Sequence, residues 1–236
     1  MTAMLTPEPM LQVEALHVGY GRVQVLRGVH LHLRAGELLL LLGRNGSGRS
    51  TLLKALMGLV PATGSARLAG RELLPLPAHH RARLGLGYVP EQREIFPRLS
   101  MRQNLLLGAK PGPSGAASWN EASVLRLFPA LSPRLDVSAQ ALSGGEQQML
   151  AIARTLMGNP TVLLLDEPTE GLAPQRVAET AALVDQLRSQ GLGLLMAEPR
   201  PWAWSLADRV MVLGDGQVQF DGAPHELPQD VSAAWL

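Results

Sequence analysis

Three clusters in this sequence have residue types and spacing suited to chemistry on a phosphorylated ligand. The first is the run Gly43, Arg44, Asn45, Gly46, Ser47, Gly48, Arg49, Ser50 and Thr51. Its glycines at 43, 46 and 48 let the backbone turn successive N–H groups inward as a nest for phosphate oxygens. An apolar helical stretch, Leu52 to Met57 with Gly58 as its stop, follows and aims its positive end at the same point. Ser50 is placed to bind Mg²⁺ and Thr51 to meet an α-phosphate. The phosphate-loop pattern carries lysine where this chain has Arg49. Arginine keeps the charge but is longer, planar and forked, so we expect nucleotide binding to survive and hydrolysis to be impaired. The second cluster is Asp166, Glu167, Pro168 and Thr169. Asp166 suits the shell of a magnesium ion, and Glu167 suits a general base that positions and polarises a water. The third is Leu142, Ser143, Gly144, Gly145, Glu146 and Gln147, which begins twenty-four residues before Asp166. Ser-Gly-Gly opening a helix is a second anion site by the same physics as the first. The bland alternatives are a glycine-rich turn that binds nothing and a pair of acids that cap the turn before Pro168.

The elements around these clusters favour the chemical reading. Leu38–Leu42 and Val162–Leu165 are apolar at every position, as central strands of a parallel sheet covered on both faces should be. The phosphate loop directly follows one, and Asp166-Glu167 ends the other. In open α/β sheets ligands bind beyond the carboxyl ends of the strands, so both clusters should face one place. Leu192 to Ala197 reads as a third such strand. Leu11 to Val18 and Val23 to Leu33 alternate more loosely and are expected to form an antiparallel edge region. Val210 to Phe220, with Asp215-Gly216 in its middle, reads as a hairpin. A mostly helical span, about 97–157, is expected to be a subdomain inserted in a single domain covering 11–236. It contains a Pro/Gly/Ser-rich loop from Lys110 to Asn120.

Composition narrows the classes further. The chain has 236 residues, 21 basic and 20 acidic, a net charge of +1. That balance argues against a surface that coats nucleic acid. Only Lys54 and Lys110 are lysine; all other basic residues are arginine. With no cysteine, disulfides, thiolate metal sites and cysteine nucleophiles are excluded. Met1 to Met10 lacks the basic and apolar regions of a signal peptide. No apolar run approaches the ~20 residues that span a bilayer. A soluble cytosolic chain is therefore expected, reaching any membrane through a partner.

With these motifs in this order, the chain resembles the ATP-binding subunit of an ABC transporter, a family with a P-loop NTPase core. Three segments narrow the likeness: Tyr88 to Leu99, Gly144 to Ile152 and Asp166 to Pro174. They resemble bacterial importers for branched-chain amino acids and for urea, and among their two ATPase subunits this chain is similar to the shorter one. The resemblance implies ATP and Mg²⁺ as cofactors. It implies a second ATPase subunit in a heterodimer, with a homodimer as the alternative, two membrane permease subunits, and indirectly a periplasmic binding protein. It implies a place on the inner face of the plasma membrane. Tyr20 would stack on adenine. Glu91 and Gln92 fall at the Gln loop, which senses Mg²⁺ (with Ser50 and Asp166) and meets the membrane partner; either side chain could serve. The helical face after Phe96 would receive the permease, and Gly171 to Pro174 would cross the dimer interface. The position that carries a γ-phosphate-contacting histidine in many relatives aligns with Pro199, which has neither donor nor side-chain acceptor.

These departures suggest an asymmetric pair. Arg49 and Pro199 belong to this chain's own ATP site, whereas Ser143, Gly144 and Gly145, which serve the partner's site, are intact. Two readings compete with an active importer subunit. A soluble ABC ATPase of translation or DNA repair would carry two ATP domains or a coiled-coil insertion, neither of which is visible. A nucleotide-binding pseudo-ATPase fits Arg49 and Pro199 but not the intact Glu167.

Overall fold

A computed structural model describes residues 8–112 and 119–236. The first seven residues and most of the Lys110–Asn120 loop lie outside the described residues, as do the expectations placed on them. In chain order the elements are β1 (Leu11–Tyr20), β2 (Val23–Leu33), β3 (Leu38–Leu42), α1 (Arg49–Met57), β4 (Ala62–Leu68), β5 (Arg71–Glu72), α2 (Ala78–Arg83) and β6 (Leu86–Val89). Then come α3 (Met101–Gly108), α4 (Glu121–Leu127), α5 (Gly144–Leu156), β7 (Val162–Asp166), α6 (Pro174–Ser189), β8 (Gly193–Ala197), α7 (Pro201–Leu206), β9 (Arg209–Gly214), β10 (Gln217–Gly222) and α8 (Gln229–Trp235).

Two sheets result. The larger has the order β10-β9-β3-β8-β7-β6. Its pairs are parallel except for the hairpin of β9 and β10. The three expected central strands, β3, β7 and β8, stand together in its middle, buried at all positions. The antiparallel region forms a sheet of its own, in the order β2-β1-β4-β5. A bond from Arg27 N to Gly216 O, 2.8 Å, ties its β2 to the β9–β10 turn.

The period of two explains why β3 has no polar face. Leu38, Leu40 and Leu42 enter a core shared with α3, α5 and α6, whereas Leu39 and Leu41 enter one shared with α1 and the antiparallel sheet. Burying a leucine on either side contributes about 2 kcal/mol, so a polar residue anywhere in β3 would open a defect in one core. The strand ends that carry the motifs are thereby fixed from both faces.

The chain between β6 and β7 holds α3, α4, α5 and two short 3₁₀ turns. Each helix begins on a polar cap matched three residues later: Ser100 with Gln103, Asn120 with Ser123, Ser143 with Glu146. Such reciprocal pairs satisfy N–H groups that a helix end leaves open.

Candidate functional site

The phosphate loop connects β3 to α1, and its glycines have the backbone expected of them. Gly43 has φ 141° and Gly48 has φ 104°. A Cβ at Gly43 would lie 2.3 Å from Leu213 O, and one at Gly48 2.6 Å from the Leu26 side chain. Both positions therefore require glycine for space as well as for conformation. Gly46, φ 83°, faces open space, as a loop waiting for a ligand on that side would. Helix α1 is closed at its other end by Gly58, whose N–H donates to Ala55 O. The buried Arg81 adds bonds from Nη1 to Ala55 O and Leu56 O, at 2.7 and 2.8 Å. A cation at this end complements the helix dipole. Arg81 was not visible as a functional support in the sequence.

The two acids at the end of β7 reach this loop. Ser50 Oγ donates to Asp166 Oδ1 at 2.8 Å, and Tyr88 OH donates to Asp166 Oδ2 at 3.2 Å. Asp166 is 1% exposed, so these two donors stand in for the solvation it has lost. Burial, with Asp166 alongside, pushes the Tyr88 hydroxyl far above its ordinary range and keeps it a donor. Glu167 has φ 44° and donates its N–H to Ala197 O at 2.8 Å, which turns its side chain out of the strand toward the loop. Arg49 Nη2 lies 3.1 Å from Glu167 Oε1 and 3.4 Å from Asn45 Oδ1. Burial raises the Glu167 carboxyl; Arg49 opposes the shift, while Glu91, Glu198 and Asp166 add to it.

Asn45 to Thr51, Glu91, Glu167, Glu170 and Pro199 line one cavity of about 640 Å³. The structure thus brings together the phosphate loop, the expected base, one residue of the Gln loop and the switch position. Of the Gln-loop pair it is Glu91 that lines the cavity; Gln92 is exposed and outside it. Arg44 lies in an adjoining cavity of about 600 Å³ shared with Asn45, Gly46 and Ser47, and walled by Arg27, Asp215 and Trp235. Tyr20, 48% exposed at the end of β1, lines neither.

The residues of the third cluster are placed elsewhere. Leu142 is buried, and its carbonyl accepts from Gln147 Nε2 at 3.2 Å. Ser143 caps α5: Glu146 N donates to its Oγ, and its own N–H and Oγ donate to Glu146 Oε2 at 2.8 Å. Bonds from Ser143 and the nearby Arg134 and Arg176 hold the Glu146 carboxyl below its ordinary range. A Cβ on Gly144 or Gly145 would meet the Arg93 or Arg176 side chain, at 3.1 and 2.9 Å. None of the six residues touches the phosphate-loop cavity.

A network not foreseen from the sequence anchors the switch segment. Glu198, 1% exposed, accepts from Thr169 Oγ1 and from Arg200 N. Thr169 Oγ1 in turn accepts from Arg200 Nη1 at 3.0 Å and Trp202 Nε1 at 3.3 Å, and Arg200 Nη2 pairs with Glu170 at 3.1 Å. Pro199 is thus held from both sides beside the second acid motif. The sequence signal available was an acid directly following a fully apolar strand.

The cavity fits a polyphosphate with a divalent cation. Arg49 is 6% exposed, and its Nη1 has no hydrogen-bond partner. An unsatisfied buried donor costs about 1–3 kcal/mol, which an anion would recover. Three carboxylates, Glu91, Glu167 and Glu170, share the same walls and would repel that anion unless a cation came with it. Ser50 and Asp166 are oxygen donors of the kind magnesium takes.

Over residues 26–170 the chain matches the family model described as ABC transporter. It is 40% identical over 211 residues to the high-affinity branched-chain amino acid transport ATP-binding protein BraG of Pseudomonas aeruginosa, covering 89% of this chain and 91% of that protein. It is 35% identical over 224 residues to the lipopolysaccharide export system ATP-binding protein LptB of Acidithiobacillus ferridurans, covering 94% and 93%. In three dimensions it is similar to the ADP conformation of MJ1267, an ATP-binding cassette of an ABC transporter. The TM-score is 0.78 at 25% identity, over 92% of this chain and 91% of that one.

Proposed function

The chain belongs to the ABC transporter family as an ATP-binding subunit and ATP hydrolase, and on that premise we propose that it serves an importer of branched-chain amino acids or related small amides. The observation that carries this is the likeness to BraG over nine-tenths of both chains, together with the segments Tyr88–Leu99 and Asp166–Pro174. Urea import rests on the same segments. The likeness to LptB favours a second reading, lipopolysaccharide export. Deleting the gene and measuring uptake of labelled leucine and urea, together with lipopolysaccharide delivery, separates the three. Loss of leucine uptake alone is the expected result. Normal uptake of both solutes with failed lipopolysaccharide delivery would overturn the import reading.

In this reading the chain is one domain, 11–236, whose helical insertion at about 97–157 meets two permease subunits. That contact holds it at the inner face of the plasma membrane. Phe96, half exposed, and Leu107, more than half exposed, support that docking face. A periplasmic binding protein acts on it only indirectly, and nucleic acid is not a partner. Magnesium bound at Ser50 and Asp166, with Glu91 or Gln92 beside them, would neutralise charge on the phosphates. Gly43 to Thr51 would bind them, and Tyr20 would meet the adenine. Glu167 would hold and deprotonate the attacking water. Leu142 to Gln147 would serve the ATP of a second ATPase subunit, because in one chain they lie outside the phosphate cavity.

The second ATPase subunit is a different chain in this account. Arg49 and Pro199 both fall in this chain's own cavity, so that site turns over slowly or only holds ATP, while the partner's site works across the intact Ser143-Gly144-Gly145. A homodimer of two slow sites is the alternative, and a pure pseudo-ATPase its extreme. Size-exclusion of the chain alone, then with a candidate second ATPase subunit from the same organism, tests the pairing. A stable mixed dimer with ATP is expected; exclusive self-association would contradict it.

A further inference from the structure

We infer that Arg49 is a latch on Glu167: the guanidinium that would bind phosphate also clamps the carboxylate that would activate water, and a bound polyphosphate must draw it away. The inference rests on the reading of this cavity as a nucleotide site. Three observations carry it. The pair is close, 3.1 Å, and shielded, with side chains 6% and 21% exposed. The same Nη2 that faces Glu167 also donates to Asn45 Oδ1 at 3.4 Å, so one arm of the fork is held between the loop and the acid. Nη1, buried and without a partner, marks the direction in which a further anion would be received.

The chemistry follows from the shape of arginine. A guanidinium presents five donors in a rigid plane, and its reach differs from that of an ammonium on a four-carbon stem. Glu167 cannot easily retreat, because its backbone is fixed by φ 44° and by the bond to Ala197 O. Phosphate oxygens and the Glu167 carboxylate therefore compete for one cation. Breaking a shielded pair by removing one partner leaves the other charge uncompensated, so nucleotide must offset that loss before it binds. The loop arginine thereby ties the strength of nucleotide binding to the position of the carboxylate that serves as general base.

A double-mutant cycle tests this without relying on turnover. Calorimetry with ATP in EDTA, where hydrolysis does not intervene, gives the affinity of the native chain, Glu167→Gln, Arg49→Lys and the double variant. Glu167→Gln is expected to tighten binding about tenfold, equivalent to ~1.4 kcal/mol, when Arg49 is present, and by less than about twofold when it is lysine. Equal tightening in both backgrounds overturns the latch, since Glu167 would then act only as a general negative charge. Thermal melts of the same four nucleotide-free chains supply the second readout. Non-additive melting shifts are expected, and additive ones contradict the pairing. If none of the four folded chains binds ATP, the nucleotide reading itself fails and the phosphate-driven release with it, whereas the melts still judge the ion pair. Arg49→Met replaces the lysine variant should that one not fold.

Discussion

Asp166 is the residue on which the cavity depends most. It is all but inaccessible to water, and its two oxygens are each served by one side-chain donor, Ser50 and Tyr88. Hydrogen bonds to charged groups contribute about 1.5–3 kcal/mol. Tyr88→Phe should therefore lower the stability of the nucleotide-free chain by roughly that amount, read as a shift in the urea midpoint at unchanged slope. No shift would mean that Tyr88 does not solvate the acid. Ser50→Ala has a different signature. It should weaken ATP binding about tenfold in magnesium and leave binding in EDTA within about twofold, since only the metal site has lost a donor. Equal weakening in both conditions would assign Ser50 to the phosphates instead. Arg49 is the third residue of consequence, because its guanidinium adds to the phosphate cradle a contact with Glu167 at 3.1 Å.

At the scale of elements, the loops matter for their backbones and the helices for their first turns. Gly43→Ala would drive a Cβ to within 2.3 Å of Leu213 O at φ 141°. It should destabilise by more than about 2 kcal/mol, strain and overpacking together, visible as a melting point lowered by several degrees. At α5, Ser143→Ala removes the Oγ bonds of the capping pair, leaves the one from Ser143 N–H to Glu146, and should cost about 1 kcal/mol. Glu146 adds a dependence on acidity. Its folded carboxyl is held below the ordinary range, so its share of stability is full above the unfolded value of about 4.3 and is lost as pH falls through the lower folded value. Comparing acid unfolding of the native chain with Glu146→Gln checks this; the difference between them should shrink on acidification. The strands that position these elements were legible because β3, β8 and β7 up to Leu165 carry no polar side chain, a pattern that a sheet covered on both sides explains. The antiparallel sheet was half legible. In β4, the sequence Ala62 to Leu68 offers small and polar residues, and only Ala66 and Leu68 are buried, so neither period stands out. Its pairing with β1 is fixed by a register some fifty residues distant. The bonds from Tyr88 to Asp166 and from Thr169 to Glu198 were hidden for the same reason: each joins side chains that only the folded sheet brings together. The phosphate loop needed no such contacts, since its glycines and the flanking strand and helix are local.

For the whole molecule, the carboxyl ends of the central strands gather one cavity of phosphate-loop and acid residues, while the Ser143 helix cap lies apart from it. In the proposed reading the cavity and the Ser143 cap are the two half-sites that a nucleotide-sandwiching dimer would use, and the departures at Arg49 and Pro199 fall on the first. The bias against lysine supplies a rival account of Arg49, in which lysine was exchanged by compositional drift and without catalytic consequence. Pro199 is not explained that way; it lines the cavity between Glu198 and Arg200, both of which are bonded to Thr169. Together the two departures are expected to slow this chain's own site. The most direct measurement is steady-state ATP turnover of the purified chain beside its Arg49→Lys, Pro199→His double variant, with ATP affinity determined for both. The double variant should turn over at least about tenfold faster, ~1.4 kcal/mol in the barrier, while both chains bind ATP. Comparable rates in the two chains would contradict the account.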